Sequence, residues 1–142
     1  MLINKRIGAI EVDTAFADHE QAYELLELVC NDVKEVMDEY DLQVSQIIEM
    51  TDDTLDLGYN ENETLGWIKI RVRRTRNNQA FQSESMVMDT LLHELAHNRY
   101  LGHGEDFNEF FSELKLSLEG RTNSCRISLP HPMVELERGK QH

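Results

Sequence analysis

The feature that most constrains this 142-residue chain is a pair of histidines four positions apart, with a third one close behind. His93 and His97 enclose the pattern H-E-x-x-H, and His103 follows six residues later. An α-helix has about 3.6 residues per turn, so positions i and i+4 lie on one face. A helix here can therefore offer two imidazole nitrogens to one ion.

The residues around this pair predict a third ligand and an open coordination position. Asn98 to Gly102 predict a helix exit and a turn, in which Gly102 is able to take φ > 0. That turn can bring His103 back to the same ion. Three protein ligands with one open position are typical of catalytic zinc, whereas structural zinc usually has four ligands, often including Cys. We therefore expect Zn²⁺ on His93, His97 and His103; the alternative is an ordinary amphipathic helix with surface histidines.

Glu94 is the candidate catalytic residue. It lies roughly 100° around the helix from His93. Its carboxylate is therefore poorly placed to bind the metal alongside the histidines, but it is near enough to reach a water on the metal. Zinc activates water and polarises carbonyls, and Glu94 can take the water proton and pass it to the leaving amine. Asp89, one turn before His93, can fix the tautomer of that ring or be a solvated carboxylate. Tyr100 can donate to an oxyanion or fill the helix exit as an aromatic plug.

Composition indicates a soluble globular protein inside the cell. Hydrophobic residues make up 40% and charged residues 29%, and no apolar run approaches the ~20 residues needed to span a bilayer. The N-terminus lacks the apolar core of a signal peptide. Cys30 and Cys125 have no C-x-x-C spacing, which favours a reducing compartment, and Cys30 fits a small buried hydrophobe.

The formal charge of −13 makes general nucleic-acid binding unfavourable, but the basic residues are clustered. Five of the 14 lie within eight positions: Lys69, Arg71, Arg73, Arg74 and Arg76. One interpretation is an edge strand beside the cleft, in which Lys69, Arg71 and Arg73 approach DNA while the backbone pairs with substrate. The other is an edge strand whose cations block aggregation.

Hydrophobic patterning predicts three strands. Residues 2 to 12 fit an extended or edge strand, 44 to 50 a short strand, and 67 to 73 the clearest strand of the chain. Between them, 51 to 63 is acidic and turn-rich. Residues 77 to 85 form a polar lead-in to the H-E-x-x-H helix.

Three helices are predicted. The first has an N-cap at Asp18, followed by Gln21, and runs to about Tyr40 with an apolar stripe. In the H-E-x-x-H helix, apolar residues cover roughly half of the circumference: Val87, Met88, Leu91, Leu92, Leu95 and Ala96. That face is predicted to meet the core, while the histidines on the opposite side face a cleft. The last helix includes Phe107 and ends at Gly120.

These elements predict an α+β fold, in which a small mixed sheet packs on the zinc-carrying helix with flanking helices. Residues 1–120 form one domain, and 121–142 a loop and C-terminal tail. Cys125 or His131 in that tail can close the fourth zinc position and hold the protein inactive, a hypothesis based on composition alone.

From residue 44 to 118 the sequence resembles the WLM metalloprotease family, which is zincin-like and related to the SprT-like proteases. The resemblance depends on the basic strand from Ile68 to Arg73, on the motif with Asn98 after it, and on His103 followed by Phe107. The family usually has Gly-Pro before the third histidine and an acidic residue after it; this chain has Leu101-Gly102 and Gly104.

The resemblance implies an intracellular, nuclear protease that cuts proteins trapped on DNA, with DNA promoting its activity. Family members bind SUMO and segregase partners through C-terminal extensions, and no such extension is evident here. The expected function is therefore zinc-dependent metalloendopeptidase activity in DNA–protein crosslink repair. Two alternatives are a minimal zinc peptidase without a DNA role and a non-catalytic, zinc-stabilised binding module.

Overall fold

The chain folds as a small mixed sheet packed against helices, in the residues 1–61, 66–74 and 77–122 that the computed structural model describes. The elements in chain order are β1 (Ile10–Glu11), α1 (His19–Asp32), α2 (Lys34–Tyr40), β2 (Gln46–Glu49), β3 (Gly58–Asn60), β4 (Trp67–Ile70), β5 (Arg73–Arg74), β6 (Asn77–Phe81), α3 (Glu84–Ala96) and α4 (Glu105–Thr122). The α+β class predicted from the sequence is confirmed. Among the described residues, no helix has the length and apolar character needed to cross a bilayer.

The main sheet has the strand order β1-β2-β4-β3, with β1, β2 and β4 parallel and β3 antiparallel to β4. Side chains alternate between its faces, as expected for strands. Ile47, Ile68 and Ile70 point into the core, whereas Trp67 and Lys69 are partly exposed on the outer face. Helices α1 and α3 pack on the inner face.

Two predictions about the strands were wrong. The strand that contains Lys69 is an interior strand, because β2 pairs with one of its edges and β3 with the other. The turn-rich segment contains the edge strand β3, and the polar lead-in contains β6, which forms a separate two-stranded sheet with β5. Both missed strands are short and rich in Gly or Asn, so they lack the apolar alternation that identifies a strand.

The first predicted helix is two helices, interrupted at Val33. Asp18 precedes α1 as predicted, but its side chain makes no capping hydrogen bond. Its carboxylate instead pairs with Arg73, which holds the pKa of Asp18 below its ordinary value. Cys30 is fully buried, as expected, and burial raises the pKa of its thiol to about 12.

Helix α3 begins at a capping serine and ends at a candidate metal ligand. The Ser83 hydroxyl accepts a hydrogen bond from the Met86 amide at 3.2 Å, and His97 is the C-cap. The expectation that one face opens to a cleft was only partly right. His93, Glu94 and His97 are all buried, because the edge strand β3 of the sheet and helix α4 both pack against α3.

Two buried arginines connect the strands to the loops. The Arg71 guanidinium is 1% exposed and donates to the carbonyl oxygens of Asp52, Thr54 and Asp56. It thereby fixes the acidic loop that leads into β3. The arginine was predicted to face solvent because it follows an apolar residue in a basic strip, but its partners come from a loop that the strand pattern does not reveal.

Arg73 is fully buried and pairs with two carboxylates. Its Nε lies 2.7 Å from Glu49 Oε2 and one terminal nitrogen lies 2.8 Å from Asp18 Oδ1, while Phe16 and Phe81 pack on the guanidinium. The side chain of Glu49 is equally buried. Removing one partner from such a pair leaves an uncompensated charge in the protein interior.

We therefore expect Arg73→Leu to lower the free energy of unfolding by about 3–5 kcal/mol, measured by urea denaturation. The matched control is Arg74→Leu at the neighbouring exposed position, for which we expect a change below about 1 kcal/mol. Equal losses in the two variants would show that the buried pair is not a main contributor to stability.

Candidate metal centre

The structure brings His93, His97 and His103 together at the end of α3. The Nε2 atom of His103 lies 3.2 Å from His93 Nε2 and 3.2 Å from His97 Nε2. The three candidate ligand atoms all lie within 4.8 Å of one another. Two of them come from one face of the helix and the third from the loop after it, which is the arrangement that the spacing predicts.

These separations fit a tetrahedral zinc ion. Zinc–nitrogen bonds of about 2.0–2.1 Å at tetrahedral angles place ligand nitrogens roughly 3.3–3.4 Å apart. The His97 Nδ1 atom lies 2.9 Å from the Tyr100 carbonyl oxygen, so its N–H donates there. The lone pair of His97 then lies on Nε2, which is the nitrogen that faces His103. The donor set and its orientation therefore fit a three-histidine site for a metal ion such as zinc.

The loop that carries His103 is exposed. Residues 101–104 are all solvent-exposed, and a Cβ placed on Gly102 or Gly104 would meet no atom within 4 Å. No described glycine has a positive φ, so Gly102 does not adopt the left-handed conformation that its sequence position allows. The chain leaves α3 through hydrogen bonds from the Asn98, Arg99 and Tyr100 amides to carbonyls three or four residues earlier, and these continue the helical direction.

Glu94 is fully buried between α3 and the edge strand β3. Gly58 of that strand permits the close approach, since a Cβ there would lie 2.8 Å from Thr90 Cγ2 and 3.0 Å from Glu94 Oε2. A larger residue at this position would force the Thr90 methyl group or the Glu94 side chain to shift. The sequence analysis missed this role of Gly58, because a glycine beside Tyr59 and Asn60 is also typical of a turn.

An amide pair joins β3 to the end of α3. Asn60 Nδ2 donates to the Glu94 carbonyl oxygen and, at 2.7 Å, to Asn98 Oδ1. The Asn98 amide nitrogen in turn donates to the Gln43 carbonyl oxygen at 3.0 Å. The position of the edge strand relative to Glu94 is thus fixed by side chains directly after the H-E-x-x-H motif. Only Asn98 was noted in the sequence, and nothing there identified Asn60 as its partner.

Asp89 and Tyr100 both lie near the centre. Asp89 Oδ1 lies 3.5 Å from Lys115 Nζ of α4, so its carboxylate joins the two helices; orientation of the His93 ring by Asp89 stays a prediction. The Tyr100 ring packs edge-on against Phe110 with centroids 5.7 Å apart. This packing favours the aromatic plug at the helix exit, and it is the Tyr100 carbonyl that contacts the site.

Of the three cations assigned to substrate or DNA, only Lys69 is near the surface. Its Nζ lies 5.4 Å from the Trp67 ring centroid on the outer face of the sheet. Arg71 and Arg73 are buried in ion pairs. The prediction that these two approach DNA was therefore wrong. The tail residues 123–142, including Cys125 and His131, lie outside the described residues.

The α+β fold and the three-histidine cluster define the class of protein, a peptidase-like domain with a candidate metal site. A family model described as the WLM domain matches residues 5–125, and the chain belongs to the WLM domain family. A comparison with curated proteins gave no match.

Solved structures of Wss1 from two yeasts are similar to this chain. Wss1 from Saccharomyces cerevisiae has a TM-score of 0.82 at 25% identity, covering 85% of this chain and 94% of the other. A mutant of that protein has a TM-score of 0.81 at 24% identity, covering 87% and 98%. Wss1 from S. pombe has a TM-score of 0.67 at 31% identity, covering 78% and 90%. These similarities confirm the predicted α+β fold, with which a zincin-like arrangement is consistent.

The three-histidine geometry predicts that His103 contributes to metal binding as strongly as a direct ligand. Removing a residue that only hydrogen-bonds to a metal ligand typically weakens metal affinity roughly 10–100-fold. We expect His103→Ala to weaken zinc affinity by more than this, measured by competition with a chromophoric chelator. His19→Ala is the control, since the His19 Nδ1 atom lies 2.8 Å from the Phe16 carbonyl oxygen and His19 lies outside the three-histidine cluster. Equal zinc affinity in His103→Ala and the wild type would remove His103 from the ligand set.

Proposed function

We propose that this protein is a zinc-dependent metalloendopeptidase that hydrolyses peptide bonds of protein substrates, acting in the nucleus on proteins crosslinked to DNA. The observation that carries the proposal is the convergence of three imidazole nitrogens beside a buried glutamate. Membership in the WLM domain family supports a protease-like function. We assign this function to residues 1–120.

Each residue of the centre has a role in this proposal. His93, His97 and His103 would hold the zinc ion through Nε2. Bound zinc supplies Lewis acidity for an attacking water and for the scissile carbonyl. Glu94 accepts a proton from the attacking water and delivers it to the amine that leaves. This general acid–base catalysis raises the rate of cleavage by about 10²–10⁴-fold. Burial of Glu94 between α3 and β3 keeps its carboxylate oriented and excludes bulk water.

The edge strand β3 is the proposed substrate strand. It pairs with β4 on one side, and no described strand pairs with its other side. An extended peptide can add to such an edge through backbone hydrogen bonds. Gly58 and Asn60 join this strand to the helix that carries Glu94, so a peptide on β3 lies beside the proton-transfer group. The edge role that the sequence suggested for the basic strand thus belongs to β3.

The DNA role has less structural support than the peptidase role. Burial of Arg71 and Arg73 leaves Lys69, which is itself half-buried, as the most accessible of the three cations that were predicted to contact DNA. A minimal zinc peptidase without DNA dependence is therefore the main alternative. A non-catalytic, zinc-stabilised binding module is the second, but ligation alone does not require a buried glutamate next to the first histidine.

The proposed peptidase predicts that Glu94→Gln keeps zinc and stability while losing cleavage. We expect unchanged zinc content and thermal midpoint and a loss of about 10²–10⁴-fold in cleavage of an unfolded protein substrate. Glu105→Gln, at an exposed position on the neighbouring helix, is the control and is expected to cleave normally. Loss of zinc from Glu94→Gln would mean that Glu94 is a ligand, and no cleavage by the wild type would favour the binding module.

The same assay with added single-stranded DNA separates the peptidase role from the DNA role. The proposal expects faster cleavage with DNA at low salt, since phosphate contacts weaken as salt rises. Lys69→Glu is expected to reduce this stimulation while leaving the rate without DNA unchanged. Cleavage that DNA does not alter would leave the peptidase in place and exclude the DNA role.

A further inference from the structure

One aromatic residue of α4 contacts all three candidate ligand rings. The ring centroid of Phe107 lies 4.5 Å from that of His97, 5.0 Å from that of His93 and 5.1 Å from that of His103. The His97 contact is stacked at 24°, whereas the other two are edge-on at 68° and 79°. Phe107 is 2% exposed. The buried ring of Phe107 therefore packs against all three imidazoles.

The third histidine has little else to hold it. His93 and His97 are fixed by the helix and by their burial, but His103 is exposed on the loop formed by residues 101–104. The glycines on either side of it have open space where a Cβ would lie. Besides Phe107, the His103 ring contacts the rings of His93 and His97, with centroids 5.2 Å and 4.7 Å away.

We propose that Phe107 is a positioning residue that holds His103 in ligand geometry by fixing the start of α4 against α3. This inference rests on the proposed zinc site. Phe107 lies one turn after His103, and the Asn108 amide donates to the Gly104 carbonyl oxygen at 3.0 Å. The loop is therefore joined to the first turn of α4. Because the Phe107 ring is anchored against His93 and His97, it sets where His103 can be.

A second contact keeps α4 in this place. Phe111, one turn after Phe107, lies 5.8 Å from it and packs edge-on to His93 at 5.3 Å. Lys115, the next turn along, lies over the Phe111 ring at 4.6 Å and 3.5 Å from Asp89 Oδ1. One side of α4 is therefore in contact with the ligand-bearing face of α3 over three turns.

The chain offers a matched control for Phe107. Phe110 lies on the same helix and is 4% exposed, compared with 2% for Phe107. Its ring packs on Tyr40 and Tyr100 at 5.5 Å and 5.7 Å. No ring contact joins it to the three histidines among the described residues. A leucine at either position removes a buried aromatic ring of the same size, but only at Phe107 does that ring support the ligands.

The test compares zinc affinity in Phe107→Leu and Phe110→Leu, measured by chelator competition, with the thermal midpoints of both metal-free proteins. We expect similar decreases in the midpoints, but a zinc affinity about 10–100-fold lower in Phe107→Leu, as for other residues that orient ligands. The affinity of Phe110→Leu should stay within about threefold of the wild type. Phe107→Met, whose flexible side chain fills part of the same space, is the second variant and should give an intermediate loss.

A double-mutant cycle shows whether the effect passes through His103. In a His103→Ala background, we expect Phe107→Leu to change zinc affinity by less than about threefold, because the ligand it positions is gone. Additive losses, or equal losses in Phe107→Leu and Phe110→Leu, would overturn the inference. Zinc binding without cleavage would overturn only the proposed peptidase, and absence of zinc binding by the wild type would overturn both.

Discussion

Three imidazole nitrogens that lie within 4.8 Å of one another are the constraint on which the rest of the structure depends. The His97 N–H is used by the Tyr100 carbonyl oxygen, so a lone pair faces His103 Nε2 at 3.2 Å. The lone pairs of these ring nitrogens would repel one another, and a cation coordinated by all three rings would remove that repulsion. Helix α3, Phe107 on α4 and the edge strand β3 all place side chains around these nitrogens.

The sequence predicts those parts of the site that depend on local geometry. The i and i+4 positions of His93 and His97 share a helix face whatever the surrounding fold, so this pair could be recognised without a structure. His103 is brought to the same point by a loop, and its spacing alone predicted the convergence. The conformation of that loop was not predictable, because Gly102 permits a left-handed turn without requiring one.

The parts that depend on tertiary pairing could not be predicted. Gly58 and Asn60 lie on an edge strand that is specified by its fit against Glu94 and Asn98, more than 30 residues away. Arg71 and Arg73 have the sequence pattern of exposed cations, yet both are buried by carboxylates and carbonyls from distant segments. A basic strip in sequence is therefore weak evidence for a nucleic-acid surface until the partners of each cation are known.

The most direct test of the central claim is X-ray absorption at the zinc edge of the metal-loaded protein. The structure predicts four nitrogen or oxygen donors at about 2.0–2.1 Å, three of them with the scattering pattern of imidazole. A sulfur donor at about 2.3 Å, such as Cys125 would provide, or a site with only two imidazoles would contradict it.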